Sequence, residues 1–212
     1  MFNIEALKNR PVHFIGCGGA GMAPLMLILH ELGVTVSGSD LESNEKTDAQ
    51  TRRGIPVTIG HSVTSLPAAD NALVVYSSAI SDSNPELKGA GKRGLECIRR
   101  GEMLARLVAC CRRTVSISGS HGKTTITAML VHILRAAGRD IGFMIGGSVP
   151  GMSSFAVGDG DIFVTEVDES DGTHALMNSH LAVIPNVEDD HCWSVGGVEQ
   201  LLNNFKNYAA RA

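Results

Sequence analysis

The stretch Val115-Ser116-Ile117-Ser118-Gly119-Ser120-His121-Gly122-Lys123-Thr124-Thr125 decides the fold. An apolar strand, Thr114–Ser118, runs into a short glycine-bearing turn, and Lys123 opens a helix that continues to Ala137. Gly122-Lys123-Thr124 is the core of a P-loop. In such a loop backbone N–H groups wrap phosphates, the lysine reaches the β and γ oxygens, and the threonine hydroxyl ligates Mg²⁺. The loop departs from the common GxxxxGK[ST] spacing: Ile117 stands where the first glycine falls, and Gly119 lies inside the loop instead. A turn needed only for packing would not require Gly-Lys-Thr after an apolar strand.

An ATP site also needs metal ligands from another strand. Asp161-Ile162-Phe163-Val164-Thr165-Glu166 reads as an apolar strand ending in a carboxylate, the place of a Walker-B-type acid. Glu166 is the first choice, and Asp168, Glu169 and Asp171 crowd the loop behind it. The plainer reading of that crowd is an acidic surface loop. A further strand, Leu181–Pro185, leads into Asn186-Val187-Glu188-Asp189-Asp190-His191, where His191 is a candidate ligand for a second cation. A lone histidine is more often structural, but this one follows carboxylates at a strand's C-terminal end, where α/β ligand sites lie.

A second glycine turn lies upstream. His13-Phe14-Ile15-Gly16-Cys17-Gly18-Gly19-Ala20-Gly21 follows the strand Val12–Cys17 and opens the helix Ala20–Leu32. Gly16, Gly18 and Gly21 fit GxGxxG, which allows a tight turn, close approach to a diphosphate and close helix–strand packing. Asp40 ends the next strand, Val34–Gly38, where such folds place a ribose or base contact. By itself the motif indicates a nucleotide diphosphate without saying which. A nicotinamide dehydrogenase is one reading, and glycines kept for turn and packing alone are another.

Around these turns, short strands at Pro56–Ile59 and Leu73–Tyr76, helices at Pro85–Gly91 and Glu102–Cys110, a strand at Ile141–Ile145 and a helix at Val198–Ala210 complete an α/β alternation. Two glycine turns imply two α/β units, with a boundary near Cys110–Arg113. The second unit has few strands, closes on a helix and reads as incomplete. The chain has 212 residues, 43% of them hydrophobic, which is enough for packed cores. Lys and Arg number 18 against 22 Asp and Glu, a net charge of −4, and aromatic residues make up 4%. That balance argues against a nucleic-acid partner. No apolar run is long enough for a membrane span. Five cysteines without a CxxC pair argue for a reducing, cytoplasmic compartment over disulfides or structural zinc. Lys92, Arg93, Arg99, Arg100, Arg106, Arg112 and Arg113 form a basic run that could face an anionic substrate. No Lys or Arg separates Arg139 from Lys206, a window whose carboxylates suit a hard cation.

In this order and spacing, the two glycine turns resemble those of the Mur ligases, ATP-dependent ligases of bacterial peptidoglycan synthesis. Gly119–Thr125 looks like that family's shortened ATP loop. His121, Ser37-Gly38-Ser39-Asp40, Ser77-Ser78-Ala79-Ile80, Asn84-Pro85-Glu86, Arg100-Gly101-Glu102-Met103-Leu104 and Glu166–Gly172 are similar to the branch that joins L-alanine to UDP-N-acetylmuramate. The resemblance implies a Rossmann-like UDP-binding domain over 1–110 followed by part of a P-loop ATPase α/β domain over 111–212. It implies that Gly16, Gly18, Gly19, Ala20, Gly21, Asp40, Ser77, Ser78 and Ala79 line the UDP-sugar site. Gly119, Ser120, His121, Gly122, Lys123, Thr124 and Thr125 would bind ATP. Thr124 and Glu166 would hold one Mg²⁺ and His191 a second, with Lys123, Glu166 and His191 as the catalytic set.

The implied reaction runs through an acyl phosphate made from the sugar's lactyl carboxylate and ATP, which the amine of L-alanine then attacks. Ser120 stands where the family usually has Thr, and His174 where an apolar or aromatic residue is common. Lys206 reads as an ordinary surface lysine, since Phe205 aligns with the carbamylated lysine of other members. Family members are more than twice as long and have a third domain, so the resemblance implies an N-terminal fragment without ligase activity of its own. The rivals are a ligase that recycles tripeptide onto the same sugar nucleotide and a non-catalytic UDP-sugar-binding fragment.

Overall fold

The computed structural model describes residues 4–189 and 192–212, which fall into two compact units. One holds Ile4–Met103 and the other Leu104–Ala212, so the division falls between Met103 and Leu104.

In the first unit the elements run α1 (Glu5–Lys8), β1 (Val12–Ile15), α2 (Met22–Glu31), β2 (Val36–Asp40), α3 (Glu45–Arg52), β3 (Val57–Ile59), β4 (Leu73–Tyr76), α4 (Pro85–Lys92) and β5 (Glu96–Arg99). Helix α5 (Arg100–Ala109) runs across the division. The five strands form one parallel sheet in the order β3-β2-β1-β4-β5, the order of a Rossmann-type doubly wound sheet without its sixth strand. Strand β1 is wholly buried, as a central parallel strand covered on both faces must be. Helix α2 begins at Met22, with Gly21 as its cap, and Pro24 falls in its first turn, where no intrahelical N–H is lost.

Three elements of this unit escape the hydrophobic pattern. Helix α3 has almost no apolar side chain. It is started by a capping box between Asn44 and Thr47 and docked by the buried Gln50, whose Nε2 donates to the Cys17 carbonyl at 2.9 Å. Strand β5 begins and ends on charged residues, Glu96 and Arg99, and α1 is a single turn. Under the sheet, the fully buried Glu86 of α4 faces two histidines, His13 Nε2 at 2.8 Å and His61 Nδ1 at 2.9 Å. Burial raises its pKa, but hydrogen bonds from His13, Ser39 and His61 outweigh that and hold it below the usual range.

The second unit continues with β6 (Arg113–Ile117), α6 (Lys123–Ala136), β7 (Ile141–Met144), β8 (Phe155–Ala156), β9 (Ile162–Glu166), β10 (Leu181–Val183) and α7 (Val198–Ala210). Its sheet has the order β10-β6-β9-β7-β8, parallel except for β8, which pairs antiparallel with β7. The unit is therefore fuller than its sequence pattern shows, since β8 has only two residues. Strand β10 stops at Val183, short of Pro185, which has no N–H to give the ladder. Ile117, Val131, Ile141, Phe143, Ile145 and Val164 form the core against α6. No helix among the described residues is long and apolar enough to cross a membrane.

Candidate active site

The P-loop leaves the C-terminal end of β6 with neighbours on both sides. On one side β9 pairs with β6 so that Ile117 is opposite Glu166, which sets the Glu166 carboxyl beside the strand end from which the loop departs. On the other side β10 leads into the segment that braces the loop. His121 N–H donates to Asn186 Oδ1 at 2.8 Å, and Asn186 Nδ2 donates back to the His121 carbonyl at 3.1 Å. Ser120 Oγ accepts from the Glu188 N–H at 2.8 Å.

The unusual glycine position follows from this brace. A Cβ on Gly119 would stand 2.8 Å from the Asn186 carbonyl oxygen, too close for any other residue. Gly122, with φ of +82°, caps α6 in the left-handed region that favours glycine. Behind it the N–H groups of the first turn, from Lys123 to Thr125, have no intrahelical acceptor and lie at the positive end of a fourteen-residue helix. Such an end is suited to an anion.

A glycine pair after β7 closes on the same groups. A Cβ on Gly146 would collide with Glu166 Oε1, and one on Gly147 would come within 2.8 Å of Thr124 Oγ1. Glu166 and Thr124 thus share one small space that only glycines leave open. The Thr124 hydroxyl and the Gly146 N–H hydrogen-bond to the Glu166 carboxyl. Its Oε2 is buried and has no hydrogen-bond partner among the described residues. Burial raises the Glu166 pKa, and Thr124, Gly146 and Lys123 offset this only in part. An oxygen-only donor set with one buried, unsatisfied carboxylate oxygen fits a hard divalent cation. Lys123 Nζ lies 2.7 Å from Glu169 Oε2, a contact that the acidic-loop reading of Glu169 missed.

His121 is exposed, with its ring 3.5 Å from the Glu188 carboxylate. Asp190 and His191 lie outside the described residues, and with them the second-cation ligand expected from sequence. His174 is fully buried against Phe205 and Tyr208. Phe205 is buried and Lys206 is exposed, as a surface lysine should be.

In the first unit, Gly16, Asp40 and Ser77 converge at the C-terminal ends of three adjacent strands. A Cβ on Gly16 would lie 3.3 Å from Ser77 Cβ. Asp40 Oδ2 accepts the Gly18 N–H at 2.7 Å, so in this structure the carboxylate holds a donor that a diphosphate would otherwise use. A Cβ on Gly18 would meet the Asn44 and Asp40 side chains. Gly18 is therefore needed for packing inside the protein as well as for any ligand. Ser78 and Ala79 are exposed on the turn that follows, and Gly19 and Ala20 lie on the rim of the glycine turn. Arg100, one of the basic run expected to face an anionic substrate, lies beside the glycine turn: its Nη1 would be 2.6 Å from a Cβ on Gly21.

The class is thus a two-unit α/β protein, with a Rossmann-order sheet in one unit and a P-loop on a mainly parallel sheet in the other. Residues 11–110 match the model of the Mur ligase family, catalytic domain, and residues 117–208 that of the Mur ligase middle domain. The chain belongs to the Mur ligase family. It is 42% identical over 205 residues to the UDP-N-acetylmuramate--L-alanine ligase of Sorangium cellulosum, an alignment covering 96% of this chain and 43% of that relative. The UDP-N-acetylmuramate-alanine ligase of Thermotoga maritima superposes with a TM-score of 0.87 at 27% identity, over 95% of this chain and 47% of that one. The UDP-N-acetylmuramate:L-alanyl-gamma-D-glutamyl-meso-diaminopimelate ligase of Neisseria meningitides gives 0.85 at 26%, over 96% and 68%. The chain therefore spans less than half the length of the first relative.

Proposed function

We propose that this chain is the UDP-sugar- and ATP-binding part of a ligase that joins L-alanine to UDP-N-acetylmuramate through an acyl phosphate. Residues 1–110 bind the UDP-sugar and 111–212 bind ATP. The observation that carries this reading is the pairing of the Gly119–Thr125 loop with Glu166, whose buried Oε2 has no hydrogen-bond partner among the described residues. Gly16–Gly21, Asp40, Ser77, Ser78 and Ala79 take the UDP-sugar, with Arg100 as an added cation near the diphosphate. The backbone of Gly119–Thr125 cradles the ATP phosphates, and Lys123 offsets the negative charge that develops on the transferred phosphoryl group. Thr124 and Glu166 hold Mg²⁺, and His191 a second ion. Bound Mg²⁺ supplies charge neutralisation across the phosphates. The sugar's lactyl carboxylate and the amine of L-alanine are the two nucleophiles, so no side chain of this chain becomes covalently modified. Free cysteines, all five unpaired, suit a cytoplasmic setting.

The structural likeness to the tripeptide ligase is nearly as close as that to the alanine ligase, so the fold does not choose the amino acid. The curated relatives at about 40% identity, which carry the alanine ligase name, support L-alanine. The ATP reading is tested by calorimetry with MgATP. Wild type should bind, and Glu166→Gln should lose about tenfold or more of that affinity, because the amide keeps the shape without the charge. Equal affinity of the two proteins would remove Glu166 from the metal site.

A further inference from the structure

The Lys123 ammonium has three protons to donate, and all three have acceptors in this structure. Nζ lies 2.7 Å from the Gly119 carbonyl oxygen, 3.3 Å from that of Ser120 and 2.7 Å from Glu169 Oε2. Glu169 is only 2% exposed, so this is a buried ion pair. A buried carboxylate is costly unless paired, and Lys123 is its partner. The segment that presents Glu169 is itself fixed. The Gly172 N–H donates to the Glu169 carbonyl at 3.1 Å, Ser170 Oγ to Asp168 Oδ1 at 2.7 Å, and the Thr173 N–H to Asp171 Oδ1 at 3.0 Å.

A phosphate oxygen entering the loop needs the lysine proton that Glu169 holds. We propose that Glu169 holds the Lys123 proton that a phosphate oxygen must take over and so makes entry of nucleotide phosphates conditional on a divalent cation. The inference rests on the reading of Gly119–Thr125 as an ATP loop. Without metal, a triphosphate meets a lysine whose charge Glu169 already neutralises, and beside it the carboxyl of Glu166. Like charges at this range in a partly buried site repel strongly. With Mg²⁺ the ligand brings two positive charges that offset the Glu166 carboxyl and the phosphate's own charge, and the phosphate can then displace Glu169 from Lys123. Glu169 acts through Lys123 and is a positioning residue.

The test is a calorimetric titration of ATP into the 212-residue chain, in Mg²⁺ and in EDTA, for wild type and Glu169→Gln. Wild type should bind far more tightly in Mg²⁺, and Glu169→Gln should narrow that gap by about tenfold by strengthening metal-free binding. An unchanged gap in the variant overturns the proposal. No binding of MgATP by wild type overturns the ATP-loop reading instead. An independent readout needs no variant at position 169. In ¹⁵N-lysine spectra of the wild-type chain, the Nζ signal missing from Lys123→Arg should be protected from water exchange when the loop is empty. It should shift on addition of Mg²⁺ and inorganic tripolyphosphate. An Nζ that exchanges as fast as surface lysines contradicts the ion pair and with it the proposal.

Discussion

Glu166 is held in a place that disfavours its own charge. Burial raises its pKa, Oε2 has no hydrogen-bond partner among the described residues, and the hydrogen bonds from Thr124 and Gly146 do not make up the difference. The sign for stability follows from linkage. A carboxyl with a raised folded pKa binds more protons in the folded chain, so stability falls as pH rises from about 4.5 through the folded value. Glu166→Gln should abolish that decline and leave the empty chain more stable at pH 8, by about 1 kcal/mol, the usual scale for a buried polar group left unpaired. Thermal melts at pH 4 and pH 8 check this, and parallel pH slopes for the two proteins would contradict it. The carboxylate was legible in sequence because it ends an apolar strand. The Gly146-Gly147 pair that makes room for it was not, since a glycine's neighbours appear only when the strands are registered. Glu169 was hidden for a similar reason: in sequence it is one acid among several, and only the fold brings it to Lys123.

At the scale of elements, α7 is fastened to the turn Thr173–Leu176 through His174. The ring packs 4.4 Å from that of Phe205, and neither ring nitrogen has a hydrogen-bond partner among the described residues. Burial pushes the His174 pKa down to about 4, with the Asp168 carbonyl and the Asp171 and Asp168 carboxylates offsetting it only in part. The unfolded chain then binds the extra proton first, so stability is full above about pH 6.5 and is lost as pH falls toward 4. The loss amounts to about 3 kcal/mol by linkage from the pKa of about 4. His174→Phe should remove this acid slope and raise stability at pH 7 by about 1 kcal/mol through removal of unpaired buried nitrogens. Denaturant titrations at pH 5 and pH 7 measure both, and a variant that keeps the wild-type slope would show that His174 is not its source. Helices with an apolar stripe or a glycine turn, α2, α6 and α7, were readable in advance to within two residues. Helix α3 was not, because its docking rests on Thr47 and Gln50, polar residues buried through hydrogen bonds, and its capping box was the one available signal.

Over the whole molecule, one parallel and one mainly parallel sheet each place their glycine turn at the C-terminal end of an interior strand, β1 in one unit and β6 in the other. That placement was legible because each turn follows an apolar strand and opens a helix. The strand that forms β10 was legible as well, but β8 was not, since two residues are too few for a period to show. A Rossmann-order sheet alone would serve a nicotinamide cofactor equally well, and the P-loop with Glu166 is what favours the proposed sugar-nucleotide reading. The most direct measurement is a pair of calorimetric titrations of the 212-residue chain, one with UDP-N-acetylmuramate and one with NADH. The account predicts saturable binding of UDP-N-acetylmuramate and no heat from NADH. Saturable binding of NADH with none of the sugar nucleotide would contradict it.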